Sequence, residues 1–231
     1  MGQKVNPLSY RLGILYKSSS TWFASKKEYK DLVLADIKIK QFIFKRLALA
    51  GIVEVVIERS INIIKVIIHA GRPGVIIGRG GSSLEILKKE LETYLKSIGA
   101  STSLKFQLEV KEVKNPDLSA KLVGERIAEQ LIKRYPHRRA ISQAQERVMS
   151  AGAKGVKIQV SGRVGGAEIG RTEKYPMGTI PTQTLRSDID YAKVASQTRS
   201  GYVGIKVWIY KGEVFSRERN KVNSGDSQSK I

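Results

Sequence analysis

Cysteine is absent from the 231 residues, which excludes disulfides, thiolate-bound zinc and a cysteine nucleophile. Histidine is nearly as scarce: His69 and His137 are the two in the chain, and little else serves acid–base chemistry near neutral pH. Long apolar runs are missing as well. Lys65 and His69 interrupt the best one, short of the roughly 20 residues that span a bilayer. The opening Met1-Gly2-Gln3-Lys4-Val5-Asn6 lacks the apolar stretch of a signal peptide, and Asn6 stands where a myristoylation signal needs Ser or Thr. Acidic residues are outnumbered, 21 against 41 Lys and Arg. A cytoplasmic protein with no membrane partner is expected.

What is present is positive charge. The formal net charge is +20, and the excess is +7, +2, +4 and +4 in successive blocks of fifty residues and +3 in the last 31. Charge spread along a whole chain points to a polyanion, and to nucleic acid that wraps the protein more than to a single basic arm. Solubility alone would be served by a closer balance of signs. Hydrophobic residues make up 41% of the chain, so a core can form, in one large or two medium domains.

Residues 1–16 read as a polar arm. Leu34, Ile37, Phe42, Phe44 and Leu47 give a loose helical stripe that Gly51 stops. Residues 52–58 and 61–69, rich in Val and Ile, read as strands paired about Arg59-Ser60. Beyond a glycine-rich stretch, Leu84, Leu87, Leu91, Leu95 and Ile98 line one face of an amphipathic helix that Gly99 ends. Residues 104–112 alternate as a third strand. Asn115-Pro116-Asp117 reads as a boundary and a helix start together, with cap, first-turn proline and acid. Leu118, Leu122, Ile127 and Leu131 mark one helix, broken at Pro136, and Ile141, Ala144 and Val148 mark another. From Gly155 the period becomes two, through Val156, Ile158 and Val160 and again through Val203, Ile205, Val207 and Ile209. The fold class expected is α+β. The organisation is an arm over 1–16, an RNA-binding domain over 17–113, an α+β domain over 114–210 with two helices on a mainly antiparallel sheet, and a tail over 211–231.

Gly-x-x-Gly is a weak signal alone, since Gly71, Gly152 and Gly162 each begin a match. Only Gly78-Arg79-Gly80-Gly81 follows an apolar turn, Val75-Ile76-Ile77, and opens straight into a long amphipathic helix. A loop without side chains lets its N–H groups approach phosphates, and Arg79 adds a cation. The order helix, strand, strand, short helix, loop, helix, strand resembles a prokaryotic-type (type II) KH domain, whose loop clamps about four nucleotides. No lysine follows as a P-loop requires, and Ser83 replaces the third glycine of a dinucleotide fingerprint. The second candidate is Lys133-Arg134-Tyr135-Pro136-His137-Arg138-Arg139. Joining two helices, it projects several cations from one corner, suited to a phosphate backbone without base readout. Lys133 and Arg134 are also explained as complements to a helix C-terminus, but Arg138 and Arg139 sit at a helix start, where cations are unfavourable. His69 reads as a structural residue, His137 as one without a partner base, and Trp22-Phe23 and Trp208 as core. Asp188 and Asp190 carry no metal-ligand pattern, so no metal or other cofactor is expected, and the chain reads as a non-enzyme.

Blocks in a fixed order carry a family resemblance. Met1-Gly2-Gln3-Lys4-Val5-Asn6-Pro7 and Arg11-Leu12-Gly13-Ile14 open it. Gly152-Ala153-Lys154-Gly155, Val160-Ser161-Gly162-Arg163 and Gly165-Gly166-Ala167-Glu168-Ile169 follow. Arg171-Thr172-Glu173, Thr184-Leu185-Arg186-Ser187-Asp188-Ile189-Asp190-Tyr191 and Gly204-Ile205-Lys206-Val207-Trp208-Ile209 complete it. The chain resembles the bacterial family of small-ribosomal-subunit protein three over all but the tail after about residue 215. The resemblance implies a structural component of the subunit head that binds 16S-type rRNA, beside proteins ten and fourteen. It also implies a place at the mRNA entrance with proteins four and five, where an Arg-Arg-x-x-Lys pattern aids passive mRNA unwinding. That pattern falls on Arg138, Arg139 and Ser142, so the two arginines carry over and the third contact does not. The RNA-binding residues expected are Gly78, Arg79, Gly80, Gly81, Lys133, Arg134, Arg138 and Arg139. A free KH-type RNA-processing or regulatory factor is the alternative.

Overall fold

A computed structural model describes residues 4–60, 63–97 and 105–215. In chain order they form α1 (Pro7–Tyr10), β1 (Ser20–Thr21), α2 (Lys26–Arg46), β2 (Ile52–Arg59), β3 (Ile63–Ala70), α3 (Pro73–Ile77) and α4 (Ser82–Ser97). Next come β4 (Lys105–Glu112), α5 (Ala120–Ile132), α6 (His137–Ser150), β5 (Gly155–Gly162), β6 (Arg171–Gly178), β7 (Ser187–Thr198) and β8 (Gly201–Glu213). The described residues from Ser18 to Lys114 form one compact unit, and the arm up to Lys17 joins the residues from Asn115 onward in the other. No helix among the described residues is long and apolar enough to cross a membrane.

In the first unit the sheet order is β1-β2-β3-β4. β2 and β3 pair antiparallel, while β1 lies parallel to β2 and β4 parallel to β3. A parallel neighbour cannot follow a tight turn, and α3 and α4 supply the crossover from β3 to β4. Leu87, Leu91 and Leu95, four residues apart on α4, pack with Ile39 and Ile43 of α2 and with Ile57, Val66, Ile68 and Phe106 of the sheet. Ile98, Gly99 and Leu104 lie outside the described residues.

The stripe on α2 differs from the expected one. Leu34, Ile37 and Phe44 are exposed, and Ala35, Asp36, Ile39 and Ile43 face inward. A carboxylate therefore sits in the core-facing row, where it is fully paired. Arg59 donates from Nε at 2.9 Å and from Nη2 at 2.5 Å to one oxygen, and Trp22 Nε1 donates at 2.8 Å to the other. A buried charge is tolerable only when paired in this way, and a stripe sought among apolar residues passes over it. Trp22 and Phe23 were both expected in the core. Trp22 is half-buried on Asp36, whereas Phe23 is 97% exposed.

The second unit has the sheet order β6-β5-β8-β7, antiparallel throughout. Helices α5 and α6 cover one face. Val123, Ile127, Ile141, Ala144 and Val148 meet Val156, Ile158, Val160, Val203, Ile205, Val207 and Ile209 in a single core, the period-two residues expected there. Close approach of α5 to β7 depends on Gly124, where an added Cβ would lie 2.8 Å from Val194 Cγ2. The start of α5 is a correction. Residues 116–118 form a separate 3-10 turn, Asn115 makes no side-chain cap, and the α-helix begins at Ala120. Its cap comes from the sheet instead, where Asp190 Oδ2 accepts from Ala120 N at 2.9 Å.

The arm is fastened by Arg11, whose side chain is fully buried. Its Nε donates to Ser187 O at 2.7 Å, one Nη to Pro7 O at 2.9 Å, and the other to Thr182 O and Thr184 O at 2.9 Å each. The guanidinium thus gathers the loop before β7 onto the arm. Tyr16 adds a hydrogen bond from its hydroxyl to Asp188, and burial together with Asp188 pushes that phenol far above its usual range.

Candidate nucleic-acid interface

The glycine loop joins α3 to α4. Gly78 has φ 70° and ψ −175°, Arg79–Gly81 make one 3-10 turn, and Gly80 and Gly81 have φ of 60° and 82°. These left-handed values favour glycine. Space separates the glycines further. A Cβ on Gly78 would lie 2.3 Å from Ser83 Oγ, whereas one on Gly80 or Gly81 would meet nothing within 4 Å. Gly78 is thus required by packing, while Gly80 and Gly81 present bare backbone at the start of a 16-residue helix. Arg79 is exposed beside them, and exposed Val75, Ile77 and Ile86 supply apolar surface on the flanking helices. Two of the other matches hold a glycine that packing requires: a Cβ on Gly155 would strike Thr179 O at 2.1 Å, and one on Gly162 would reach Tyr202 O at 2.8 Å.

Lys133, Arg134, Arg138 and Arg139 are all exposed and share the corner between α5 and α6. Arg134 N donates to Leu131 O at 3.0 Å and Tyr135 N to Gln130 O at 3.0 Å, the paired bonds of a Schellman helix end. The motif needs a left-handed residue, usually glycine, and here Arg134 takes it with φ 59°, the one positive φ outside glycine among the described residues. A side chain in that conformation costs roughly 1–2 kcal/mol. On the far side of Pro136, Arg139 stands 6.0 Å from the Tyr135 ring centroid, a cation–π contact that restrains its guanidinium.

His137 has a partner base, contrary to the expectation from sequence. Its Nε2 lies 3.1 Å from Glu173 Oε2 on β6. Glu173 also accepts from the Tyr175 hydroxyl and from Arg171 Nε at 2.6 Å. The Tyr175 hydroxyl foremost, then Arg171 and His137, hold this carboxyl down to about 2. Burial and Glu173 raise Tyr175, and the nearby Arg138 partly counters that rise. A carboxylate from β6 thus meets the first residue of α6, where positive side chains would otherwise oppose the helix dipole unaided. Sequence reading passed over Glu173 and Tyr175 because they lie 36 and 38 positions from His137, with no local pattern joining them.

The remaining candidates have structural partners. Asp188 accepts from Tyr16, Asp190 caps α5, and Lys157 Nζ lies 5.4 Å from the centroid of Trp208, which is half-buried on the sheet. Among the described residues no group of three or more His, Asp or Glu side chains is placed to hold a metal ion.

A four-stranded sheet crossed over by two helices around a bare glycine loop defines a KH-type RNA-binding protein, here joined to a second α+β unit with its own cationic corner. Sequence families divide the chain in the same way: residues 38–118 match the KH domain, and residues 127–209 match the family described as Ribosomal protein S3, C-terminal domain. The small ribosomal subunit protein uS3 of Caldicellulosiruptor saccharolyticus is 48% identical over 97% of this chain and 99% of its own length. That of Bacillus thuringiensis strain Al Hakam is 47% identical over the same shares, and that of Desulforamulus reducens 48% over 93% and 94%. The chain belongs to the uS3 family of small ribosomal subunit proteins.

Proposed function

We propose that this chain is a structural, non-catalytic constituent of the small ribosomal subunit, bound to 16S-type rRNA in the head of cytoplasmic ribosomes. Family membership, the KH unit and the +20 charge support that role. Proteins ten and fourteen are its neighbours, with four and five at the mRNA entrance. At that entrance Lys133, Arg134, Arg138 and Arg139 face the messenger backbone. The observation that carries this reading is the corner itself. Four exposed cations share it, one on a strained backbone and one stacked on an aromatic ring, an arrangement suited to phosphate and indifferent to base identity. The glycine loop of Gly78, Arg79, Gly80 and Gly81 is a second RNA contact.

Arg138→Ala with Arg139→Ala tests the entrance role. Subunits carrying the pair of changes assemble normally, sediment with the chain in stoichiometric amount, and slow on a messenger hairpin while keeping speed on unstructured messenger. Equal speed on both messengers would remove the unwinding role. A chain found only in light gradient fractions would remove the ribosomal one.

A further inference from the structure

One face of the second unit's sheet has no part in either RNA contact. Helices α5 and α6 cover the face bearing Val156, Ile158 and Val160, so the alternate residues of each strand point away from them. Strand register sets those residues in rows. Lys174, Gln159, Lys206 and Lys193 are successive direct neighbours across β6, β5, β8 and β7. The adjacent row is Pro176, Lys157, Trp208 and Tyr191, and the next is Thr172, Ser161, Gly204 and Ala195. Twelve positions therefore hold four lysines and no carboxylate. Among the described residues none of these lysines forms an ion pair. Lys206 and Lys193 stand directly opposite each other, an arrangement that weakens a sheet. Lys157 lies over the Trp208 ring, and the Tyr191 ring is 5.1 Å from it, centroid to centroid. Burial, with Lys4 and Lys174 nearby, pushes the Lys157 ammonium below its usual range.

We propose that this sheet face binds the phosphate backbone of RNA along the row Lys174, Lys206 and Lys193, with Trp208 and Tyr191 as its aromatic border. Ammonium groups are point charges that grip phosphate without reading bases. Strands about 4.8 Å apart set Lys174 and Lys193 about 14 Å from each other, so the row meets successive phosphates and not one anion. The like-charge opposition is relieved by a polyanion laid across it. An acidic peptide would relieve it too, but an aromatic border offers a stacking surface to bases and nothing comparable to carboxylates.

Amine acetylation of Lys174 and Lys193, both exposed, separates the outcomes. Both react in the isolated chain, are protected in assembled small subunits, and react again after ribonuclease digestion. Protection that survives digestion assigns the face to a neighbouring protein and overturns the proposal, as does equal reactivity in free and assembled chain. The full chain with Lys174→Gln, Lys193→Gln and Lys206→Gln is the second test. Its log–log slope of RNA affinity against salt becomes shallower by about 2, at about 0.7 per single-strand phosphate contact, and its Tm stays equal or rises as like charges are removed. An unchanged slope refutes the proposal. Running Arg138→Ala with Arg139→Ala in the same titration distinguishes loss at this face from loss at the corner.

Discussion

Replacing Arg11 by alanine tests whether the arm is an integral part of the second unit. The side chain is fully buried and donates to four carbonyls at 2.7–2.9 Å, those of Pro7, Thr182, Thr184 and Ser187. Thr182 is exposed and Thr184 half-buried, so water replaces the lost donor there. Pro7 and Ser187 are buried, and a buried acceptor left without a partner costs about 1–3 kcal/mol. Two such groups give about 2–6 kcal/mol. At about 4 °C per kcal/mol for a unit of this size, Tm falls by roughly 15 °C. Arg11→Lys recovers less than half of that, because one ammonium cannot reach carbonyls arranged around a planar fork. Thermal unfolding followed by circular dichroism measures the shift, and limited proteolysis reports release of the arm. A Tm for Arg11→Ala within about 2 °C of the parent would refute the reasoning, since the four hydrogen bonds would then be replaceable by solvent.

Gly80→Asp introduces a side chain where nothing lies within 4 Å, at a φ of 60° that Asp tolerates better than most residues. The fold survives with a loss of about 1 kcal/mol, while the anion weakens RNA binding in filter or fluorescence titration. Unchanged RNA affinity in a folded variant would exclude the loop as a contact. Glu173 sets an acid limb to stability. Its carboxyl lies at about 2 in the folded chain against 4.5 ordinarily, so its contribution is complete above about 4.5 and is lost as pH falls through 2. Glu173→Gln flattens that limb in a Tm series run between about pH 6 and 2, and an identical pH profile for parent and variant would contradict the network around His137.

Elements whose buried residues recur at one period were legible in the sequence. Leu87, Leu91 and Leu95 in α4 and the alternation from Val156 to Val160 need no partner to be recognised, because each pattern repeats within its own element. Legibility ended where a polar residue takes a core position or a cap arrives from a distance. Asp36 is tolerated in the buried row of α2 because Arg59 pairs its charge and Trp22 donates to its second oxygen, and that row lies away from Leu34 and Ile37. The cue at Asn115-Pro116-Asp117 is a local one, and the true cap of α5 is Asp190, 70 positions from the residue it caps. The lysine face was hidden for a related reason. Lys174, Lys193 and Lys206 are scattered in sequence, and only the register of four strands lines them up.

The corner between α5 and α6 carries two arrangements that stability alone would not favour. A Schellman end calls for glycine at its left-handed position, and Arg134 stands there at a cost of roughly 1–2 kcal/mol. The first turn of a helix favours acids, and α6 opens with His137, Arg138 and Arg139 and no acid of its own. Glu173 offsets the second cost from β6, through His137, and leaves both arginines exposed. Glycine at 134 and an acid in the first turn of α6 would make a more stable corner with less positive charge. Local strain and unfavourable charge that fall together at one exposed place, while the core beneath is well packed, point to a surface shaped for a ligand. The entrance role proposed above fits these features, since four cations suit an anion and their spread over two helix ends suits an extended one.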